Sequence, residues 1–163
     1  MSVKITFDRN SAKESRYVEI IPQIESLVSG ESNSIANLSN VTSALKYSFD
    51  NFLWVGFYLY DEISDELVLG PFQGRVACTR IKMGKGVCGT SAEKKETIIV
   101  EDVNKFPGHL FCDRRSKSEI VVPIIKDGRL EGVLDIDSDV YSNFDLTDKK
   151  YLETLVNKIS KLF

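Results

Sequence analysis

From residue 52 onward the chain alternates. The stretch FLWVGFYLY sends Phe52, Trp54, Gly56, Tyr58 and Tyr60 to one face and Leu53, Val55, Phe57 and Leu59 to the other, the period of a β-strand. Upstream the period is helical. Tyr17, Ile20, Ile21, Ile24, Leu27 and Val28 recur at helix spacing behind a Ser11-Ala-Lys-Glu14 capping box, with Pro22 marking a kink or restart and Gly30 a stop. A second amphipathic helix starts near Ser32 or Ser34 and carries Ile35, Leu38, Val41, Leu45 and Phe49 on one stripe. Downstream, strands are predicted over 67–72, 75–81 (carrying Cys78), 97–100, 119–125 and 130–137, with a short helix over about 87–94. Lys126-Asp-Gly-Arg129 joins the last two strands as a hairpin. Tyr151, Leu152, Leu155, Val156, Ile159 and Leu162 mark a final helix.

Helices, a run of mostly antiparallel strands, then a helix make a single α+β domain over residues 1–163. Its helices span about 11–49, its sheet and loops about 52–138, and its last helix about 147–162. The terminal helices are expected to cover one face of the sheet. The loops 82–90 and 101–117 are expected to roof a pocket on the other, because Gly and Pro there weaken regular structure and long loops in compact domains carry function.

Composition narrows the class. The chain is 42% hydrophobic and 28% charged, with a net charge of −3, which argues against the basic face that nucleic-acid binding needs. No apolar run approaches the roughly 20 residues of a membrane span, and the first residues lack a secretory h-region, so a cytoplasmic location is expected. In that compartment Cys78, Cys88 and Cys112 are not a structural disulfide framework, and most such cysteines are small buried hydrophobes. Their spacing with His109 contains no pair of C-x-x-C clusters, so no metal site is expected.

Some residues invite chemistry. Trp54 and Tyr58 flank Gly56 on one strand face, which leaves a gap between flat walls suited to a methyl or thioether group. Asp135 and Asp137 share a face of an otherwise apolar strand, where carboxylates are expensive unless paired or needed. Glu119 opens the partner strand. A plain two-residue turn puts it opposite Ile136, off that face; an odd loop, a bulge or an early strand start would bring the three acids together. Cys112 stands beside Asp113, Arg114 and Arg115, and neighbouring cations lower a thiol pKa. Cys88 sits at a helix start, where a thiolate or a ligand carboxylate is favoured. His109 reads as a solvent-facing or structural loop residue, with a smaller chance of tuning Cys112.

These residues resemble a known family. The ordered set Trp54-x-Gly-Phe-Tyr58, Gly70-Pro-Phe-Gln-Gly74, Ala77-Cys78, Gly86-Val-Cys88-Gly89, Phe106-Pro-Gly-His109, Cys112-Asp113, Ser118-Glu-Ile-Val-Val-Pro123 and Gly132-Val-Leu-Asp-Ile-Asp137-Ser138 is similar to the free methionine-(R)-sulfoxide reductases, enzymes of GAF fold. The match runs from about residue 50 to 138, and the flanking helices suit that fold. The resemblance implies an oxidoreductase that converts free L-methionine-(R)-sulfoxide to methionine without a cofactor. It implies Cys112 as nucleophile, Cys88 as the resolving thiol that closes a disulfide with it, and Cys78 as an auxiliary thiol. Trp54 and Tyr58 would be pocket walls, and Glu119, Asp135 and Asp137 the acids that bind substrate and assist proton transfer. Thioredoxin would be the reductant, and the oligomeric state, a homodimer included, stays open. The chief alternative is a GAF module that senses a small ligand without turning it over; another is a thiol peroxidase.

Overall fold

The computed structural model describes residues 4–110 and 112–163; Met1 to Val3, the start of the N-terminal stretch, and Phe111 of the Cys112 loop lie outside it. Helix α1 (Lys13–Val28) buries Tyr17, Ile20, Ile21, Ile24 and Val28, the stripe its spacing predicts. The predicted capping box is not formed. The Ser11 hydroxyl donates to the Asp8 carbonyl, and Glu14 instead accepts from Tyr151 and Lys150 of the C-terminal helix. Pro22 lies inside α1 without ending it. It sits on the exposed face, where the Val18 carbonyl left without a partner can be satisfied by water. Helix α2 (Ser34–Ser48) begins at Asn33, whose side chain accepts from the Ala36 amide at 3.0 Å. Leu38, Val41 and Leu45 are buried, whereas Ile35, in the first turn ahead of the packed stripe, is 52% exposed.

The sheet contains β1 (Trp54–Asp61), β2 (Glu66–Gln73), β3 (Arg80–Lys82), β4 (Ile98–Val100), β5 (Ser118–Lys126) and β6 (Arg129–Ser138), in the order β3-β2-β1-β6-β5-β4. Each neighbouring pair is antiparallel. Between β3 and β4 lies α3 (Gly86–Lys94), and α4 (Leu146–Ile159) follows β6, starting at a capping box of Asp145 and Asp148. Helices α1, α2 and α4 cover one face, where Val55, Phe57, Ile120, Val122, Leu134 and Ile136 meet them. Trp54, Tyr58, Val121 and Val133 point to the opposite face and pack with Val87, Cys88 and Ala92 of α3. Phe52 departs from the predicted alternation. It precedes β1, so strand geometry does not bind it, and it stacks on Phe49 in the helical core with ring centroids 4.5 Å apart.

Cys78 is not on a strand. The chain is irregular from 74 to 79, because Gly74 adopts φ +140° and the carbonyls of Arg75 and Cys78 are turned toward β1 side chains rather than into a ladder. No helix among the described residues is long and apolar enough to cross a membrane.

Candidate active site

Strand β1 supplies an aromatic wall. A Cβ on Gly56 would stand 2.2 Å from the Trp54 ring, so the glycine is what lets the indole fold across the strand. The expected slot between two walls is therefore absent: Trp54 and Tyr58 stack with centroids 6.0 Å apart, and Trp54 continues onto Phe72 at 5.4 Å. The polar ends of both rings hold the loop that carries Cys78. Trp54 Nε1 donates to the Arg75 carbonyl and the Tyr58 hydroxyl to the Cys78 carbonyl, each at 3.0 Å.

The floor is built by a register device. The Asp127-Gly128 turn has positive φ at both residues and pairs Lys126 with Arg129, as the hairpin signal predicts. A bulge then intervenes, since Ile125 faces Leu130 but Ile124 faces Gly132, leaving Glu131 extra. That single added residue moves Glu119 from opposite Ile136 to opposite Asp137, and Val121 opposite Asp135. Glu119, Asp135 and Asp137 thus share the face that carries Trp54 and Tyr58.

These acids are crowded and nearly dry. Burial, reinforced by Asp137, holds Glu119 well above the ordinary carboxylate range, and burial with Glu119 and Asp137 does the same to Asp135. Asp137 is pushed up to about 6, mainly by burial and against the hydrogen bond from Ser116. Asp135 Oδ1 is buried with no hydrogen-bond partner, an acceptor held ready in the wall of the cavity. Ser116 carried no sequence signal, being one short hydroxyl in a charged loop.

Cys88 enters from the first turn of α3 and lies 4.0 Å from Glu119 Oε1. The expectation of a thiolate at a helix start does not hold. Burial and the charges of Asp135 and Glu119 raise the Cys88 thiol well above its ordinary pKa and outweigh the helix dipole. His109 is not solvent-facing. Its side chain is 7% exposed and Nε2 lies 3.1 Å from Glu119 Oε2. Burial lowers His109 while it raises Glu119, so the pair favours neutral partners sharing a proton.

Cys112 is exposed at the rim and joined to Cys78 by a disulfide with Cα atoms 5.6 Å apart. This corrects the pairing of Cys112 with Cys88: Cys88 is a free, buried thiol. The reason is layering. Cys88 belongs to the floor beside the acids, while the irregular 74–79 stretch and the 101–117 loop meet above it. The basic surroundings expected to activate Cys112 are also reduced, because Arg115 is bound bidentately by Asp113. Every expected site residue except Cys78 lines the resulting cavity. Cys78 is tied to its lining through the bond to Cys112 and through its carbonyl, which accepts from Tyr58.

The match to known proteins agrees with this geometry. Residues 37–162 match the model of the GAF domain. GAF domain-containing protein A of Dictyostelium discoideum is 57% identical over 89% of this chain and 90% of its own. The free methionine-R-sulfoxide reductase of Saccharomyces cerevisiae is 47% identical over 96% of this chain and 91% of its own. The X-ray structure of free methionine-R-sulfoxide reductase from Neisseria meningitidis in complex with its substrate superposes with a TM-score of 0.96 at 49% identity, over 99% of this chain and 96% of that one. A cysteine-rimmed pocket between α3 and an antiparallel sheet, in a chain matched over nearly its whole length, makes this chain a member of the GAF-domain family, within the group of the free methionine-R-sulfoxide reductases.

Proposed function

We propose that this protein reduces free L-methionine-(R)-sulfoxide to L-methionine in the cytoplasm, using its cysteines and an external dithiol such as thioredoxin. The observation that supports the reading is one cavity with a disulfide-bonded cysteine pair at its mouth, an aromatic wall, and three buried acids on its floor. The names of its relatives point the same way.

In the reduced protein, the Cys112 thiolate attacks the sulfoxide sulfur while a protonated carboxyl of the floor donates to the sulfoxide oxygen, which makes sulfur the better electrophile. Glu119 and Asp135, held above their ordinary range, are suited to that proton. The oxygen passes to Cys112 as a sulfenic acid and methionine leaves with the sulfur reduced by two electrons. Cys78 then attacks the sulfenic sulfur, water departs, and the Cys78–Cys112 disulfide forms. Cys88 takes no part in that exchange. Thioredoxin returns the pair to thiols through an exposed Cys112. The substrate ammonium is matched by the carboxylates, and the first turn of α3 lies where its carboxylate can be held.

The test is incubation of the reduced protein with each epimer of free methionine sulfoxide and a dithiol, followed by amino-acid analysis. Methionine should appear from the R epimer and not from the S epimer. Binding of the R epimer without turnover would overturn the reading in favour of a ligand-sensing GAF module.

A further inference from the structure

We propose that the reduced protein also binds a borderline-soft divalent cation, zinc first among them, on the floor of this cavity through Cys88 Sγ and carboxylate oxygens of Glu119 and Asp135. The sequence spacing argued against zinc because it offers no adjacent cysteine pairs. The fold assembles the ligands differently, one each from α3, β5 and β6.

Donor atoms of Cys88, Glu119 and Asp135 all lie within 4.8 Å of one another, and the Cys88 sulfur is 4.0 Å from Glu119 Oε1. Tetrahedral zinc, with bonds of about 2.3 Å to sulfur and 2.0 Å to oxygen, sets sulfur and oxygen roughly 3.5 Å apart. The Cys88–Glu119 pair therefore needs to close by about half an ångström and the widest donor pair by no more than about 1.5 Å, within the reach of side-chain adjustment. A cluster of acids alone would not amount to a site. Here Asp135 is 6% exposed and its buried Oδ1 has no hydrogen-bond partner, so an acceptor without a donor belongs to the residue that closes the cluster.

The donor types select the metal. A thiolate with two carboxylates is poor company for magnesium or calcium, which want six or more oxygens, and good company for zinc or cobalt. With three protein donors, a water molecule would complete four-coordination. On binding, the Cys88 S–H bond and the O–H bonds of whichever ligating carboxyls are protonated break, their protons go to solvent, and metal–sulfur and metal–oxygen bonds form; no electrons move. Cys88 is outside the Cys78–Cys112 disulfide, so the ligand set exists in either redox state of that pair. A cation seated there occupies the acids that the substrate would use. That consequence, competitive inhibition, rests on the reductase reading; the binding itself does not.

The test uses the full-length chain carrying Cys78→Ser and Cys112→Ser, which leaves Cys88 as its only thiol, freed of metal and titrated with Co²⁺. One equivalent should bind, with a near-ultraviolet thiolate-to-cobalt band, tetrahedral d–d bands and a change in the emission of Trp54, the only tryptophan. Zinc should then displace the cobalt. Adding Cys88→Ser should abolish the thiolate band and weaken binding by at least roughly 100-fold, more than loss of an outer-shell group. Asp135→Asn should weaken it by about 10-fold or more, with circular dichroism confirming that each variant is folded. Absence of the thiolate band, or equal affinity after Cys88→Ser, overturns the proposal. In parallel, zinc should raise the apparent KM of the wild type while kcat holds. If the wild type makes no methionine without zinc, the reductase reading fails and the cobalt titration still decides the site.

Discussion

Three carboxyl groups share one dry floor, and Asp137 shows the cost of that burial most plainly. Its folded pKa of about 6 lies above the ordinary 3.8, so between those values the folded chain binds more protons than the unfolded chain. Stability falls as pH rises through that window and the full cost is carried above it. The shift corresponds to at most about 3 kcal/mol. Asp137→Asn removes the cost, so its melting temperature should match or exceed that of the wild type at pH 7–8 and lose the advantage below about pH 4. Turnover should move the other way. Glu119→Gln and Asp137→Asn keep shape but remove acidity or charge at the substrate, and should lower kcat/KM by roughly 10²–10⁴-fold, the usual worth of positioned acid catalysis. A purely structural role predicts the reverse pair of results, lower melting temperature with near-normal turnover. Thermal melts and steady-state rates on the same variants separate the two.

The cysteines divide at the same scale. Cys112→Ser should form no methionine even in a single turnover, since it removes the attacking sulfur. Cys78→Ser should complete one turnover and stop at a sulfenic acid that dimedone labels. Cys88→Ser should keep cycling, because Cys88 faces the acids and lies outside the disulfide. Peptide mapping of substrate-oxidised wild type should find Cys78 linked to Cys112; a Cys88–Cys112 link would reverse the assignment.

At the scale of elements, alternation told most of the story. It placed both helical stripes, β1, the β5–β6 hairpin and α4, because each buries a regular set of positions. It also put Trp54 with Tyr58 on one strand face and Asp135 with Asp137 on another, and only the family resemblance joined them with Glu119 into one site. Three things were out of its reach. Whether Glu119 joins the acids depends on the bulge at Glu131, a backbone choice that leaves no periodic trace. The pairing of Cys112 depends on which irregular stretch lies above the floor, and spacing along the chain carries no height. The inward turn of His109 follows from a partner ten residues away on β5. Gly56 was legible as unusual but misread, since the space it leaves is filled by the Trp54 ring itself. Gly56→Ala should therefore push the indole out of place and cost roughly 1–3 kcal/mol, the usual price of overpacking. Because the same ring holds the Arg75 carbonyl, KM should rise more than kcat falls. Unchanged melting temperature and KM would show that the indole does not need that space.

The whole molecule separates its tasks by face: the pocket lies on one side of the sheet and the packing helices on the other. On the helical side α1 meets α4. Asp148, fully buried in the first turn of α4, accepts from the Tyr17 hydroxyl at 2.8 Å, from Lys13 Nζ at 2.5 Å and from the Asp145 amide at 2.9 Å. It thereby ties α1 to α4 and caps α4 at once. Tyr17 in turn stacks between Phe49 and Tyr151, at 4.5 Å and 5.4 Å, so the polar contact is sealed by rings. Asp148→Ala leaves the Tyr17 hydroxyl buried with no acceptor there and strips Lys13 of its buried partner, and should cost roughly 3–5 kcal/mol, the range for breaking a buried pair. For a chain of this size that is a fall in melting temperature on the order of 10 °C. The acids, the aromatic wall and the cysteines lie across the sheet from it, so kcat and KM measured well below the lowered melting temperature should stay within about twofold of the wild type, as expected of distant, independent sites. A loss of turnover in the folded variant would mean that the helical layer governs the pocket through the sheet, and that the two faces are not independent.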